Sequence, residues 1–165
     1  MGTLISGLFK NSDHAGMAIA ELKSKDLDKD ISVMAKDKDN GEISAHDVDS
    51  DPMHGAKGGA IAGAAVGGLG ALAVGASAVT LPGLGLVVAG PLATILAGIT
   101  GGAVTGGVVG ALVDQGFSEE KARDFESEIK KGQVFASVHA DEDNANEIAA
   151  VFKQHGASKV EVLQK

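Results

Sequence analysis

The densest group of side chains that could bind a metal or move a proton lies between His46 and His54. Two imidazoles and three carboxylates fall within these nine residues, and such nitrogen and oxygen donors suit Zn²⁺, Ni²⁺ or Mn²⁺. Their spacing matches no established metal motif, and the segment leads directly into an apolar stretch. We therefore predict a solvated, acidic linker without a metal, in which His46, Asp49, Asp51 and His54 are the only candidate ligands.

Other patterns that could support chemistry are incomplete. The segment that begins at Asp37 has some features of a calcium loop, but its glycine, Gly41, stands at the fifth position and Val48 at the twelfth, where the sixth and a glutamate are required. No Lys-Ser/Thr pair follows the glycine runs, as a phosphate loop would need. Cysteine is absent, and no Ser, His and Asp order supports catalysis. We predict no enzyme and no cofactor.

The most distinctive feature is the uncharged stretch, residues 58–113, which holds 56 residues without a charged side chain, 16 of them glycine. It divides into two runs, Gly59–Leu81 and Pro91–Val113, around a turn-prone centre at Leu81–Gly85. Each run has 23 residues, about 35 Å as a helix, which is enough to cross a hydrocarbon core. Proline at the start of the second run suits a first helical turn. The sequence therefore predicts a hydrophobic helical hairpin.

Small residues recur at every fourth position in both runs. Helices with this spacing can approach each other closely, as small-xxx-small pairs do in membranes. We therefore predict a glycine zipper and self-association of the protein through it. The residues concerned are Gly59, Gly63, Gly67, Ala71 and Gly75 in the first run, and Gly98, Gly102, Gly106 and Gly110 in the second.

The apolar content limits how firmly a single copy would insert into lipid. The first run holds seven Leu, Ile or Val residues and the second holds nine, which supply only roughly −2 to −5 kcal/mol per helix. Neither Trp nor Tyr is present to form an interfacial belt. Two environments therefore stay open for the hairpin: a bilayer that it enters as a cluster of copies, or the interior of a protein assembly.

The acidic composition excludes some partners. The net charge is −8, and residues 1–57 and 114–165 each hold 11 acids and 7 bases. This balance argues against nucleic acid and against electrostatic docking on anionic lipid, so that any membrane contact must be through insertion. The N-terminus shows no basic region followed by an apolar segment and a cleavage site, so we expect both flanks in the cytoplasm.

Both flanks alternate between strand and helix patterns. Before the hairpin, the predicted elements are a strand at Thr3–Phe9, a helix capped by Asn11–Asp13, a strand at Asp30–Lys36 and an exposed strand at Glu42–Val48. After the hairpin, they are a helix capped by Ser118, a strand at Gln133–His139, a helix from Asp141 to a C-cap at Gly156, and a strand at Lys159–Leu163. Two strands and one helix bury too little to be stable, so we expect the flanks to fold together.

This order predicts an α+β fold, namely a ferredoxin-like split βαβ sandwich interrupted by the inserted glycine-zipper hydrophobic helical hairpin. We expect residues 1–57 to form the N-terminal half of the α+β domain plus the acidic linker, residues 58–113 the hairpin, and residues 114–165 the C-terminal half. Helices should cover one face of the four-stranded sheet.

Two segments behind the hairpin resemble a known family. Gly116–Arg123 followed by Lys131–Val138 is similar to the signature of bacterial general stress protein 17M-like, or low-temperature-induced, proteins, in which an acidic helix leads into a strand after a glycine-rich hydrophobic segment. The resemblance covers roughly residues 55–163. The family often carries a tyrosine pair near Asp124 and Phe125, which this chain lacks. The resemblance implies stress induction and membrane association, and no reaction.

These patterns together predict a non-enzymatic, stress-associated membrane protein that self-associates through the hairpin. We expect it at the bacterial cell membrane, with other copies and the lipid bilayer as partners and no nucleic acid. The alternative is a structural protein that forms a soluble cytoplasmic particle, tube or filament with the hairpins buried in the assembly. A third hypothesis, a soluble regulator that binds a ligand or metal, rests on fold analogy alone.

Overall fold

A computed structural model describes residues 2–27, 30–36, 78–81, 85–97 and 107–164. Its six strands are β1 (Gly2–Phe9), β2 (Ile31–Lys36), β3 (Ala78–Leu81), β4 (Leu86–Ala89), β5 (Val134–Asp141) and β6 (Ser158–Gln164). Its five helices are α1 (Ser12–Ser24), α2 (Pro91–Ala97), α3 (Gly107–Asp114), α4 (Glu119–Lys130) and α5 (Glu142–Gln154). The strands form one sheet in the order β3-β4-β2-β5-β1-β6, and all neighbours are antiparallel.

The two ends of the chain meet in the middle of this sheet. Val138 of β5 lies opposite Ile5 of β1 on one side and Ile31 of β2 on the other, and β6 pairs with the free side of β1. The segments β1-α1-β2 and β5-α5-β6 are therefore interleaved. The predicted mixture of helices with an antiparallel sheet is confirmed.

Helices α1 and α5 cover one face of the sheet. The inner face of α1 consists of the four residues that the helical spacing predicts, Ala15, Ala18, Ile19 and Leu22. The side chain of Asn11 accepts a hydrogen bond from the backbone N–H of His14 at 3.0 Å and so caps α1. Across the layer the rings of Phe9 and Phe152 meet edge to face, with their centroids 5.2 Å apart.

Helices α2, α3 and α4 cover the opposite face, so the prediction that helices cover only one face is wrong. Phe117, Phe125 and Phe135 form a ring cluster there, with centroid distances of 5.3 to 6.2 Å. The reason lies in the strands: Thr3–Phe9 is buried at every residue and Val134–Val138 likewise. Strands that are buried on both faces need a layer of helices on each side.

The described parts of the uncharged stretch differ from the predicted helical hairpin. Residues 78–81 form a strand, and β3 and β4 are antiparallel, with Leu81 opposite Leu86. The chain therefore reverses direction between the two runs, as predicted, but the described residues on either side are strands; residues 82–84 lie outside the described residues. Pro91 begins a helix as predicted. Gly107 has a φ of +47°, which a continuous α-helix does not contain, so the run Pro91–Val113 is not one helix.

The physical reason for this difference is the open edge of β2. Residues 86–89 pair with residues 33–36 and thereby satisfy backbone groups that would otherwise face solvent at a sheet edge. The strands contain valine at neighbouring positions, which suits a pleated sheet. The remainder of the first run, the predicted strand Glu42–Val48 and residues 98–106 lie outside the described residues.

Gly90 connects β4 to α2 at a point where the backbone passes very close to β2. Its φ is +85°, and a Cβ atom there would overlap the carbonyl oxygen of Ile31 and lie 2.9 Å from the Cα of Ser32. The first turn of α2 is held to β2 by a hydrogen bond that the backbone N–H of Leu92 donates to Ser32 Oγ at 3.1 Å. Only glycine fits this corner.

We predict that Gly90→Ala destabilises the fold by about 4 kcal/mol, because the new methyl group adds a backbone clash to a left-handed conformation. Gly85→Ala is the matched control in the same hairpin. Gly85 also has a positive φ of +61°, but a Cβ there meets none of the described residues within 4 Å, so the cost is about 1 to 2 kcal/mol. Urea unfolding measures both; equal losses for the two variants would contradict the packing of this corner on β2.

Candidate functional site

The structure describes one of the residues predicted for self-association, Gly110 in α3. The other members of the two files lie outside the described residues: Gly59, Gly63, Gly67, Ala71, Gly75, Gly98, Gly102 and Gly106. The same holds for the candidate metal ligands His46, Asp49, Asp51 and His54. Their predictions are therefore neither supported nor contradicted by the structure.

Gly110 lies on the side of α3 that faces away from the core. The opposite side of the helix, formed by Val108, Ala111 and Leu112, is buried and packs in the same core as α2 and α4. A Cβ atom built on Gly110 meets none of the described residues within 4 Å, and Val113 is 41% exposed. We call Gly110 and Val113 the outer face of α3, because Val109 is partly buried and packs against the core. The outer face is apolar and uncharged.

A row of buried serines crosses the sheet on the side of α2, α3 and α4. Ser6 of β1 lies opposite Ser137 of β5, and Ser137 lies opposite Ser32 of β2. All three are at most 1% exposed. The sequence analysis missed this row, although each serine is visible inside an otherwise apolar strand pattern. The register that aligns them depends on pairing between distant segments.

Among the described residues, a histidine at the end of α5 contacts a carboxylate of α1. His155 Nε2 is 2.7 Å from Glu21 Oε2, and Lys25 Nζ is 2.8 Å from Glu147 Oε1 and 3.6 Å from Glu21 Oε1. The hydrogen bond with His155, together with the charge of Lys25, lowers the pKa of Glu21. The bond to Glu147 raises the pKa of Lys25. Since each of these groups pairs across the two helices, we interpret the network as holding α1 against α5.

A shallow cleft of about 300 Å³ lies where the α1–β2 connection meets the end of β5. Asp26 and Asp30 in this connection both have a left-handed backbone, with φ of 56° and 53°. The part of the chain that the structure describes contains no set of three or more His, Cys, Asp or Glu side chains arranged to hold a metal ion. The cleft is lined by Gly2, Asp26, Leu27, Asp30, His139, Ala140, Asp141 and Asn144.

Helices α2 and α3 have 7 and 8 residues. Within the described ranges, no helix combines the length and the apolar character needed to cross a bilayer.

Comparisons with known proteins add no identification. The chain matches no protein-family profile, no curated protein sequence and no solved structure. The similarity to general stress proteins therefore stays a prediction from two short segments, and the function must be argued from the geometry above.

We predict that Glu21→Gln makes the stability of the protein less dependent on acid pH. A carboxyl group with a lowered pKa in the folded state contributes stability above its unfolded pKa and loses it as the pH falls through the folded value. Wild-type stability should therefore fall between about pH 5 and pH 3, and the variant should lose less over this range.

Thermal unfolding from pH 3 to pH 7 measures this effect. Glu119→Gln is the control, because Glu119 pairs with Arg123 within α4 and both side chains are about two-thirds exposed. Its pH profile should follow that of the wild type. If the stability of Glu21→Gln fell with decreasing pH as steeply as that of the wild type, the interactions of Glu21 would not stabilise the packing of α1 against α5.

Proposed function

We propose that this is a non-enzymatic, self-associating protein whose uncharged stretch forms the contact between copies. The observation that carries the proposal is the outer face of α3. Gly110, a member of the predicted glycine zipper, has none of the described residues within 4 Å of its Cβ position, and Val113 beside it is exposed. Among the described residues nothing requires a glycine at this position, where it costs a helix about 1 kcal/mol relative to alanine. Close approach of a second backbone gives that glycine a role.

We propose that this association takes place at the bacterial cell membrane, with both flanks in the cytoplasm. The composition of the uncharged stretch supports this, because its apolar residues carry no charge over 56 positions. The resemblance of Gly116–Val138 to stress-induced, membrane-associated proteins points the same way. Because the insertion energy of one copy is small, association and membrane entry would reinforce each other.

A soluble homo-oligomeric assembly is the second candidate. It is favoured by the burial of the described parts of the uncharged stretch: Leu86, Val88, Leu92 and Leu112 belong to the core beside the sheet and are fully buried. Residues that already pack inside the protein are not available to lipid. In this case the same outer face would join copies in a particle, tube or filament.

The arrangement of the four flank strands supports a ferredoxin-like domain as the scaffold. The order β2-β5-β1-β6, with α1 and α5 on one face, is the interleaving that a split βαβ sandwich requires. We propose this fold for the flanks, with β3, β4, α2 and α3 as additions from the uncharged stretch. A scaffold of this kind would hold the outer face of α3 in a fixed position.

We predict that Gly110→Leu reduces the oligomer size while leaving the fold intact. The Cβ of the leucine meets none of the described residues within 4 Å, whereas the side chain keeps a neighbouring helix at a distance. Gly110→Ala is the matched control and should keep the oligomer, with a gain in stability of up to about 1 kcal/mol. Light scattering measures the size, and a thermal melt verifies the fold.

Flotation of the same proteins with liposomes separates the two settings. In the membrane setting the wild type floats equally well at low and high salt, because no basic patch steers it, and Gly110→Leu floats less. In the soluble setting large particles form without lipid and none of the protein floats. An oligomer of unchanged size in Gly110→Leu would remove the outer face of α3 from the proposal in both settings.

A further inference from the structure

The two faces of the sheet differ in the polar side chains that the strands bury beneath the helices. On the side of α1 and α5, the strands contribute mainly apolar side chains to the core, among them Ile5, Val33 and Val138, together with the buried Thr3. On the other side, Leu4, Leu8 and Phe135 alternate with the serine row. Ring contacts join both layers to the sheet, Phe9 with Phe152 on the first side and Phe117 and Phe125 with Phe135 on the other, so the serine row is what distinguishes the second side.

The serine row lies in one line across neighbouring strands. Ser32 has a partner, the backbone N–H of Leu92. Ser6 is also opposite Glu161 of β6, which binds Lys121 of α4 at the edge of the sheet at 2.7 Å. The row therefore runs from a partly exposed ion pair to the first turn of α2, underneath the layer that α2, α3 and α4 form.

Three buried side-chain atoms in the described part of the chain have no hydrogen-bond partner, and two belong to this row. They are Ser6 Oγ, Ser137 Oγ and Gln115 Oε1. Gln115 connects α3 to α4 and is 5% exposed. Its neighbours in sequence lie over the same part of the sheet, since Phe117 contacts Phe135. A buried polar group without a partner opposes burial, whereas water would satisfy it as soon as the layer separates.

We propose that the layer of α2, α3 and α4 opens from the serine row as a unit while the layer of α1 and α5 stays closed. Opening hydrates the three unpartnered atoms, and it exposes apolar residues such as Leu92 and Leu112 that are otherwise buried. The fold thus contains a built-in route by which the uncharged stretch becomes available for contact with lipid or another copy. The opening itself is a property of the single chain and does not require that either contact exists.

Hydrogen exchange of the full chain, measured without lipid at a concentration where it is monomeric, tests the proposal. In the wild type, backbone amides of α2, α3 and α4 should exchange faster than those of α1 and α5. In Ser6→Ala/Ser137→Ala, exchange in α2, α3 and α4 should slow by about tenfold or more, because two unpartnered hydroxyl groups are no longer buried on closing. Exchange in α1 and α5 should change much less.

Ser32→Ala is the matched control with the opposite sign. It removes a partnered hydroxyl and leaves the N–H of Leu92 without its acceptor, so exchange in α2 should become faster. Two results would overturn the proposal. The first is that the amides of all five helices exchange at the same rate in the wild type. The second is that the amides of α2, α3 and α4 exchange as fast in Ser6→Ala/Ser137→Ala as in the wild type. Since association plays no part in this readout, a failure of the proposed function leaves it unaffected.

Discussion

The burial of β1 and β5 on both of their faces is the constraint on which the rest of the structure depends. Both strands lie in the middle of the sheet, and each comes from a different end of the chain. Helices α1 and α5 close one face, but the C-terminal flank supplies only α4 for the other. The uncharged stretch completes that face with β4, α2 and α3. Its described parts are therefore a component of the core and cannot be treated as a separate module.

The described helices of the uncharged stretch have one side that faces the core and one side that faces away from it. Leu92, Val108 and Leu112 point into the core, whereas Gly110 and Val113 are directed away from it. In the described part of the chain, the ion pairs of α4 are formed within the helix or with β6. A stable scaffold that presents an uncharged, small-residue surface is suited to binding other surfaces.

Local signals were sufficient to predict most of the flanks. The caps at Asn11 and Ser118 and the left-handed Gly156, with a φ of +79°, correctly mark the helix ends because capping depends on a few neighbouring residues. The four flank strands lie within one or two residues of their predicted bounds, because alternation and apolar runs are local too. At the candidate site, the spacing of small residues predicted a role for Gly110 in self-association.

Long-range pairing explains what the sequence analysis missed. Residues 78–81 and 86–89 become strands because β2 has an open edge, and nothing in their own sequence indicates that edge. The second layer of helices could have been anticipated from the continuous apolar runs in β1 and β5, which are typical of strands buried on both sides. The serine row depends on the register between β1, β2 and β5, which single-sequence patterns do not fix.

The central claim, that part of the uncharged stretch is built into the core, is tested most directly by a disulfide between β2 and β4. Ala35 lies opposite Val87, at a distance that suits a disulfide, and the chain contains no other cysteine. The account predicts that Ala35→Cys/Val87→Cys forms an intramolecular disulfide under mild oxidation, whereas Ala35→Cys/Val113→Cys does not. Reduced thiols at 35 and 87 in folded protein, from membrane and soluble fractions alike, would contradict it.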